Sequence, residues 1–172
     1  MKALVVYESL WGNTAAIAHA IAEGIGEGAT VAHTGQVNPE TAADFDLIVV
    51  GAPVHALSLP TKESKASAAG KPVAEDELAP DVTQPTVKEW LADLPDGTAA
   101  AAAFDTRIRG PLGHGGASRI EKSVKTHGYR IVDRAQGFVV INDSHVRVAG
   151  SMLRQGERKR ATEWGARLAS LT

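Results

Sequence analysis

Short apolar runs alternate five times with segments of helical spacing, and this rhythm constrains the fold more than any other feature. The strand-like runs are KALVVY (2–7), TVAHTG (30–35), DLIVVG (46–51), TAAAAAF (98–104) and YRIV with GFVVI (129–141). Continuous apolar, β-branched runs are typical of parallel strands buried on both faces. The alternation predicts an α/β fold with a doubly wound parallel sheet and helices on both faces. For this length we expect a single domain spanning residues 1–172.

The strand prediction is less direct at two places. Alanine favours helix, but TAAAAAF lies between a Pro-Asp-Gly turn and a glycine-rich loop, which favours a tightly packed central strand. The fifth run is expected to be interrupted near Arg134. The segment 62–85 mixes alanine, proline and charges without periodicity, so we predict a long surface loop there.

Four segments have helical spacing. Ile17, Ile21 and Ile25 recur every four residues in the first, which ends at Gly26. The others cover 87–94, 118–127 and the region from about residue 156 onward. Trp90 and Trp164 lie on apolar faces of these helices and are predicted to belong to the core.

Composition excludes several classes of function. A net charge of −2 gives no general attraction to nucleic acid, and no apolar run is long enough to span a bilayer. The absence of cysteine excludes disulfides and thiolate metal sites, and His127 and His145 have no partners at ligand spacing, so no metal is predicted. With no cleavable signal pattern, the expected location is the cytoplasm.

The turn SLWGNT (9–14) directly follows the first predicted strand and precedes the first helix. In an open parallel sheet, ligands bind beyond the carboxyl ends of the strands, which this turn borders. Ser9 and Thr14 offer hydroxyls, Asn13 offers an amide, and Gly12 allows close approach of the backbone. With the helix N-terminus beside them, these groups suit a phosphate. The alternative, a simple helix cap, gives Gly12 and Trp11 no role.

Related phosphate-binding folds lack support in the sequence. There is no G-x-x-x-x-G-K-[ST], as in P-loop nucleotidases, and no G-x-G-x-x-G after the first strand. A phospho-receiver domain needs an aspartate at the end of the third strand, where this sequence reads GAPVH.

SLWGNT followed by AAIAHAIAEGI resembles the FMN-phosphate loop of the flavodoxin family, [ST]-x-T-G-N-T with a helix after it. Ser9, Gly12, Asn13 and Thr14 match, Leu10 fills the free position, and Trp11 stands where electron-carrier flavodoxins have threonine. The resemblance implies FMN as cofactor and a five-stranded sheet of order 2-1-3-4-5. We predict that Trp11 shields the phosphate or packs near the ribityl chain.

The same resemblance implies that loops 51–60 and 104–116 hold the flavin ring. The residues it assigns to the ring are Ala52, Pro53, Val54, His55, Phe104, Asp105, Thr106 and Arg107. The aromatic pair that usually stacks on the ring is missing, because His55 is the only flat side chain of the first loop. Arg107 or a protonated His55 would stabilise the anionic reduced flavin. We therefore expect a higher redox potential than in electron carriers.

Three functions follow from this reading. The first is an FMN-dependent oxidoreductase acting on a small organic molecule such as a quinone or a porphyrinogen. The second is an electron shuttle that passes electrons to a redox partner protein, and the third is a flavodoxin-like binding module without FMN. Shuttles are usually strongly acidic, so the near-neutral charge favours the enzyme. No residue stands out as an acid–base catalyst. The basic run RQGERKR (154–160) is a further candidate for docking an acidic partner.

Overall fold

Strands and helices alternate along the chain as predicted. The computed structural model describes residues 1–55, 58–110, 115–141 and 145–172. The strands are β1 (Ala3–Tyr7), β2 (Ala29–His33), β3 (Leu47–Pro53), β4 (Ala100–Ile108), β5 (Arg130–Ile131) and β6 (Gln136–Val140). The α-helices are α1 (Asn13–Ile25), α2 (Lys62–Ala69), α3 (Val87–Ala92), α4 (Gly116–Thr126) and α5 (Glu157–Leu171), and a 3₁₀ helix spans Pro39–Asp44.

All strand pairs in the sheet are parallel, and the order is β2-β1-β3-β4-β5. This confirms the doubly wound sheet of order 2-1-3-4-5. The predicted fifth strand is two strands that pair with successive parts of β4. Ala100 and Ala101 pair with β5, and Phe104 to Ile108 pair with β6. The expected interruption near Arg134 falls between them, and β6 is a minor addition to the sheet.

The sheet is buried on both faces by helices. Alternate residues such as Val5, Val49 and Ala102 pack with α1 and α5, whereas their neighbours pack with α3 and α4. The small side chains of β4 let these layers approach closely, so the alanine-rich run forms a central strand despite its helical propensity. Trp90 and Trp164 belong to the two core clusters, as predicted.

The predicted loop over 62–85 is only partly irregular, because it begins with helix α2. Thr61 and Ser64 form a capping box at its start, and only Lys65 and Ala68 are buried. The Lys65 ammonium donates to the Gln84 carbonyl and lies 3.4 Å from the buried Glu8 carboxylate. The helix packs through a lysine and an alanine instead of an apolar stripe, so periodicity could not reveal it. Residues 70–86 contain no further helix or strand.

None of the helices in the described ranges has the length and apolarity needed to cross a bilayer.

Candidate functional site

A cavity of about 540 Å³ lies at the carboxyl ends of β1, β3, β4 and β6. Its size falls within the range of small-molecule sites, roughly 300–1,000 Å³. The turn after β1 and the ends of β3 and β4 supply Ser9, Leu10, Trp11, Asn13, Thr14, Pro53, Val54, His55, Thr106 and Ile108. Residues beyond those strands supply Ala68, Lys71, Pro72, Val73, Glu77, Leu78, Pro80, Val140, Ile141, Val146 and Met152. The cavity is therefore mainly apolar, with polar groups concentrated at the turn after β1.

Ser9 contributes an unpartnered polar atom to this site. Its Oγ is buried and has no hydrogen-bond partner among the described residues. A buried hydroxyl without a partner costs free energy, and such groups mark sites that a ligand completes. α1 begins four residues later, and its first turn carries no acidic side chain. The helix dipole there favours an anion.

Further donors lie beside Ser9. Thr14 Oγ1 and Thr106 Oγ1 are 2.8 Å apart and both residues are buried, which joins the turn to the end of β4. One hydroxyl donates to the other, so the accepting hydroxyl keeps its own hydrogen for a ligand. The Asn13 Oδ1 accepts from the Met152 N–H at 3.1 Å, which leaves the Asn13 NH₂ group as a donor. The turn thus presents donors to an anion.

The sequence predicts that Gly12 lets the backbone approach an anion closely, but in the structure residues 149–150 pack against Gly12. Its φ of +79° is left-handed, which suits glycine. A Cβ there would lie 2.7 Å from the Ala149 Cβ and 2.9 Å from the Gly150 nitrogen. Gly12 therefore makes room for residues 149–150 of the chain and does not line the cavity. The Gly150 N–H in turn donates to the Trp11 carbonyl at 2.9 Å.

Trp11 and His55 both line the cavity, and their ring centroids are 6.2 Å apart. Burial lowers the pKa of His55, and the nearby Lys71 ammonium lowers it further. Both effects favour the neutral form of His55 and weaken the case for a protonated His55 beside the flavin. Lys71 is exposed, and among the described residues that line the cavity it is the one lysine or arginine.

Four of the residues predicted to contact the ring do not line the cavity. Ala52 and Phe104 are fully buried in the core, and the Phe104 ring lies edge-on to Phe138 at 6.1 Å. Both point into the faces of the sheet because side chains alternate along a strand. Asp105 and Arg107 are the other two, and they interact with each other.

Asp105 is fully buried and occupies the N-terminus of α4. Its Oδ2 accepts from the Ala117 N–H at 2.7 Å, and its Oδ1 accepts from the Arg107 Nε at 2.5 Å. The chain's own carboxylate thus takes the place that an anion would take at this helix end. Arg107 and Asp105 form an ion pair, and neither residue lines the cavity. Residues 56–57 and 111–114 of the two predicted ring loops lie outside the described residues.

Two segments that the sequence did not assign to the site form its outer wall. We call residues 71–81 and 145–152 the cover segments. They supply Lys71, Pro72, Val73, Glu77, Leu78, Pro80, Val146 and Met152 to the lining. Both lack regular secondary structure and apolar periodicity, so no sequence signal indicated them. They pack against the turn after β1, where the Asp81 N–H donates to the Leu10 carbonyl at 2.8 Å.

Most of the basic run 154–160 is engaged within the structure. Arg154 and Arg160 both bind the buried Glu157 carboxylate, at 2.6 and 2.5 Å. Glu157 also accepts from the Val139 N–H, so this cluster ties the start of α5 to β6. Lys159 pairs with Glu163 at 3.8 Å. The run therefore has a structural role, which weakens its case as a docking site.

Comparison with known proteins connects this site to a family. The flavodoxin domain model matches residues 4–66, from β1 into α2. The match covers about a third of the chain and includes the turn after β1. Its fold is similar to a flavodoxin from the domain Archaea, with 19% identity, coverage of 99% of this chain and 97% of that one, and a TM-score of 0.67. Flavodoxin 1 from Bacillus cereus is similar at 14% identity, 100% and 99% coverage, and a TM-score of 0.67. No curated protein sequence matches.

FMN is the cofactor of the flavodoxin family, and the residues of this cavity fit it. The orphaned Ser9 hydroxyl, the Thr14 and Thr106 pair and the start of α1 suit a phosphate group. The apolar wall that continues from this turn suits a flat ring system. The family match ends in α2, before the first cover segment begins. Both cover segments therefore lie outside the matched residues.

Proposed function

We propose that this protein is a member of the flavodoxin family, that it binds FMN in the cavity at the carboxyl edge, and that it acts as an oxidoreductase on a small organic molecule. FMN supplies electron-transfer and hydride-transfer chemistry. The observation that carries the FMN part is the buried, unpartnered Ser9 Oγ beside the start of α1. Ser9, Asn13 and Thr14 would hold the phosphate end.

The enclosure of the cavity supports a small-molecule substrate. The cover segments wall off the sheet edge and give the cavity an apolar lining, which suits a flat, apolar substrate such as a quinone or a porphyrinogen. Exclusion of water by such a wall also protects a reduced cofactor from side reactions. No side chain is assigned to acid–base catalysis, so the proposed roles of the chain are binding, orientation and shielding.

An electron shuttle is the second candidate, and one observation favours it. Val73, Ile108 and Ile141 line the cavity yet are 40%, 50% and 51% exposed. Exposed apolar side chains around a redox site can contact a partner protein. In that case electrons would pass at this rim and no substrate would occupy the cavity. A cytoplasmic location stays a prediction for either function.

Two measurements test these proposals in order. Visible absorption spectra of the purified protein with and without added FMN, together with thermal unfolding, test cofactor binding. Bound flavin absorption and an FMN-dependent rise in the unfolding temperature are expected. Their absence would contradict both candidates and favour a flavodoxin-like binding module. If FMN binds, NAD(P)H-driven reduction of a soluble quinone at a rate proportional to protein concentration supports the enzyme. Transfer only to a redox protein would support the shuttle.

A further inference from the structure

Three close interactions between described residues join the two cover segments above the cavity. The Leu78 N–H donates to the Val146 carbonyl at 2.6 Å. The Glu77 carboxylate accepts from His145 Nδ1 at 2.6 Å, and Asp76 pairs with Arg147 at 2.8 Å. These contacts join two stretches that are almost seventy residues apart in the sequence. Neither segment contains a helix or a strand, so these side-chain and backbone contacts are what join them.

Each cover segment is also attached to the turn that would hold the phosphate. The first donates from Asp81 to the Leu10 carbonyl, and the second donates from Gly150 to the Trp11 carbonyl. The second also donates from Met152 to the side chain of Asn13. The segments therefore meet over the polar end of the cavity, and Leu78 and Val146 line it from the inside.

We propose that the cover segments close the cavity, and that the contacts between them set how fast FMN is taken up and released. We call these contacts, Leu78–Val146, Glu77–His145 and Asp76–Arg147, the latch. This proposal rests on the proposed binding of FMN in the cavity. Release of the phosphate end requires the segments to separate, because both are attached to the residues around it. The core strands do not need to move. Segments with few buried contacts open locally at much lower free energy than a sheet does.

The Asp76–Arg147 pair is the part of the latch that can be changed with least damage. Its side chains are 61% and 64% exposed, and neither residue lines the cavity. An exposed ion pair is weak, so its loss should change a rate by about two- to fivefold. Asp76→Arg and Arg147→Asp each place like charges together, so each should speed FMN release at least to this extent. The double reversal restores opposite charges and should return the rate towards that of the parent protein.

A reversible cross-link gives a second, independent test. The chain has no cysteine, so Leu78→Cys with Val146→Cys introduces the only thiols, at two residues already joined by a backbone hydrogen bond. Oxidised and reduced forms of this one variant can be compared directly, so any change in FMN affinity caused by the substitutions themselves cancels. We expect release to be about tenfold slower or more in the oxidised form, because a disulfide restricts the open state far more than an ion pair does.

FMN release is followed by the recovery of free-flavin fluorescence after the loaded protein is diluted to a concentration far below its Kd for FMN. Glu163→Lys is the matched control, because it reverses one charge of the exposed Lys159–Glu163 pair on α5, and it should release FMN at the parent rate. The proposal is contradicted if FMN binds but its rate of release is unchanged by both charge reversals and by oxidation of the cross-link. If neither the parent nor any variant binds FMN, the proposed function fails instead, so the two failures are distinguishable.

Discussion

Replacement of Ser9 by alanine should change stability and cofactor affinity in opposite directions. In the free protein the Ser9 Oγ is buried without a partner in the described part of the chain. A buried polar group that lacks a hydrogen bond costs about 1–3 kcal/mol. Ser9→Ala removes this group and leaves the backbone of the turn unchanged. The free energy of unfolding of the FMN-free protein should therefore rise, by roughly 1 kcal/mol when part of the cost is already relieved by solvent in the cavity.

FMN affinity should fall in the same variant. A hydrogen bond to a charged acceptor contributes about 1.5–3 kcal/mol. Loss of that bond to the phosphate corresponds to a roughly 10- to 100-fold weaker Kd, at about 1.4 kcal/mol per factor of ten. Riboflavin, which has the same ring but no phosphate, should bind the variant and the parent protein equally well.

The assays are urea unfolding of the FMN-free forms and titration of flavin fluorescence with FMN and with riboflavin. Ser170→Ala is a suitable control, since Ser170 lies on the exposed end of α5 and donates only to the carbonyl of Arg167. The reasoning is refuted if Ser9→Ala lowers the stability of the FMN-free protein while leaving FMN affinity unchanged. That result would mean that the Ser9 hydroxyl has a structural partner and no role at the phosphate.

Three further predictions concern Lys71, Trp11 and the buried ion pair of Lys65 with Glu8. Lys71→Gln should make bound FMN a stronger reductant, by an interaction of the order of 1 kcal/mol or about 20 mV for two electrons, and an unchanged potential in a redox titration would contradict this. Trp11→Ala should weaken FMN binding by about 0.5–1.5 kcal/mol beyond the loss of buried area, measured by fluorescence titration; unchanged affinity would remove Trp11 from the site. Lys65→Met leaves the buried Glu8 carboxylate without its cation and should cost about 3–5 kcal/mol near neutral pH. Burial raises the pKa of Glu8, so the Glu8 carboxylate is protonated more readily in the folded protein than in the unfolded chain. The loss of stability caused by Lys65→Met should therefore shrink as the pH falls. Equal losses in urea unfolding at neutral and acid pH would contradict that account.

The sequence determined the architecture because its signals are local and periodic. Apolar runs such as ALVVY are buried on both faces wherever they pair, and Ile17, Ile21 and Ile25 form one face of a helix in any context. The alternation of such segments then leaves few parallel topologies. The turn from Ser9 to Thr14 could also be located from the sequence, because it lies where a strand ends and a helix begins; its role in phosphate binding stays a prediction.

Side-chain direction at the second ring loop required the tertiary structure. Phe104 and Asp105 are neighbours within β4, which continues to Ile108, but one packs against Phe138 and the other accepts a hydrogen bond at the start of α4. Which of them would face the cavity depends on the register of β4 against β3 and β6, and on where α4 begins. No pattern within the loop itself contains that information.

The cover of the site was decided only by the tertiary structure. Helix α2 packs through Lys65, whose burial is possible because the carboxylate of Glu8, the residue directly after β1, lies 3.4 Å from its ammonium. The cover segments are joined by residues such as Asp76 and Arg147, which look like ordinary surface charges in the sequence. A helix or a strand is encoded by neighbouring residues, whereas these contacts form only after the sheet has brought distant parts of the chain to one edge. The sequence therefore specified the turn that is proposed to bind a phosphate, and the folded chain specified what covers it.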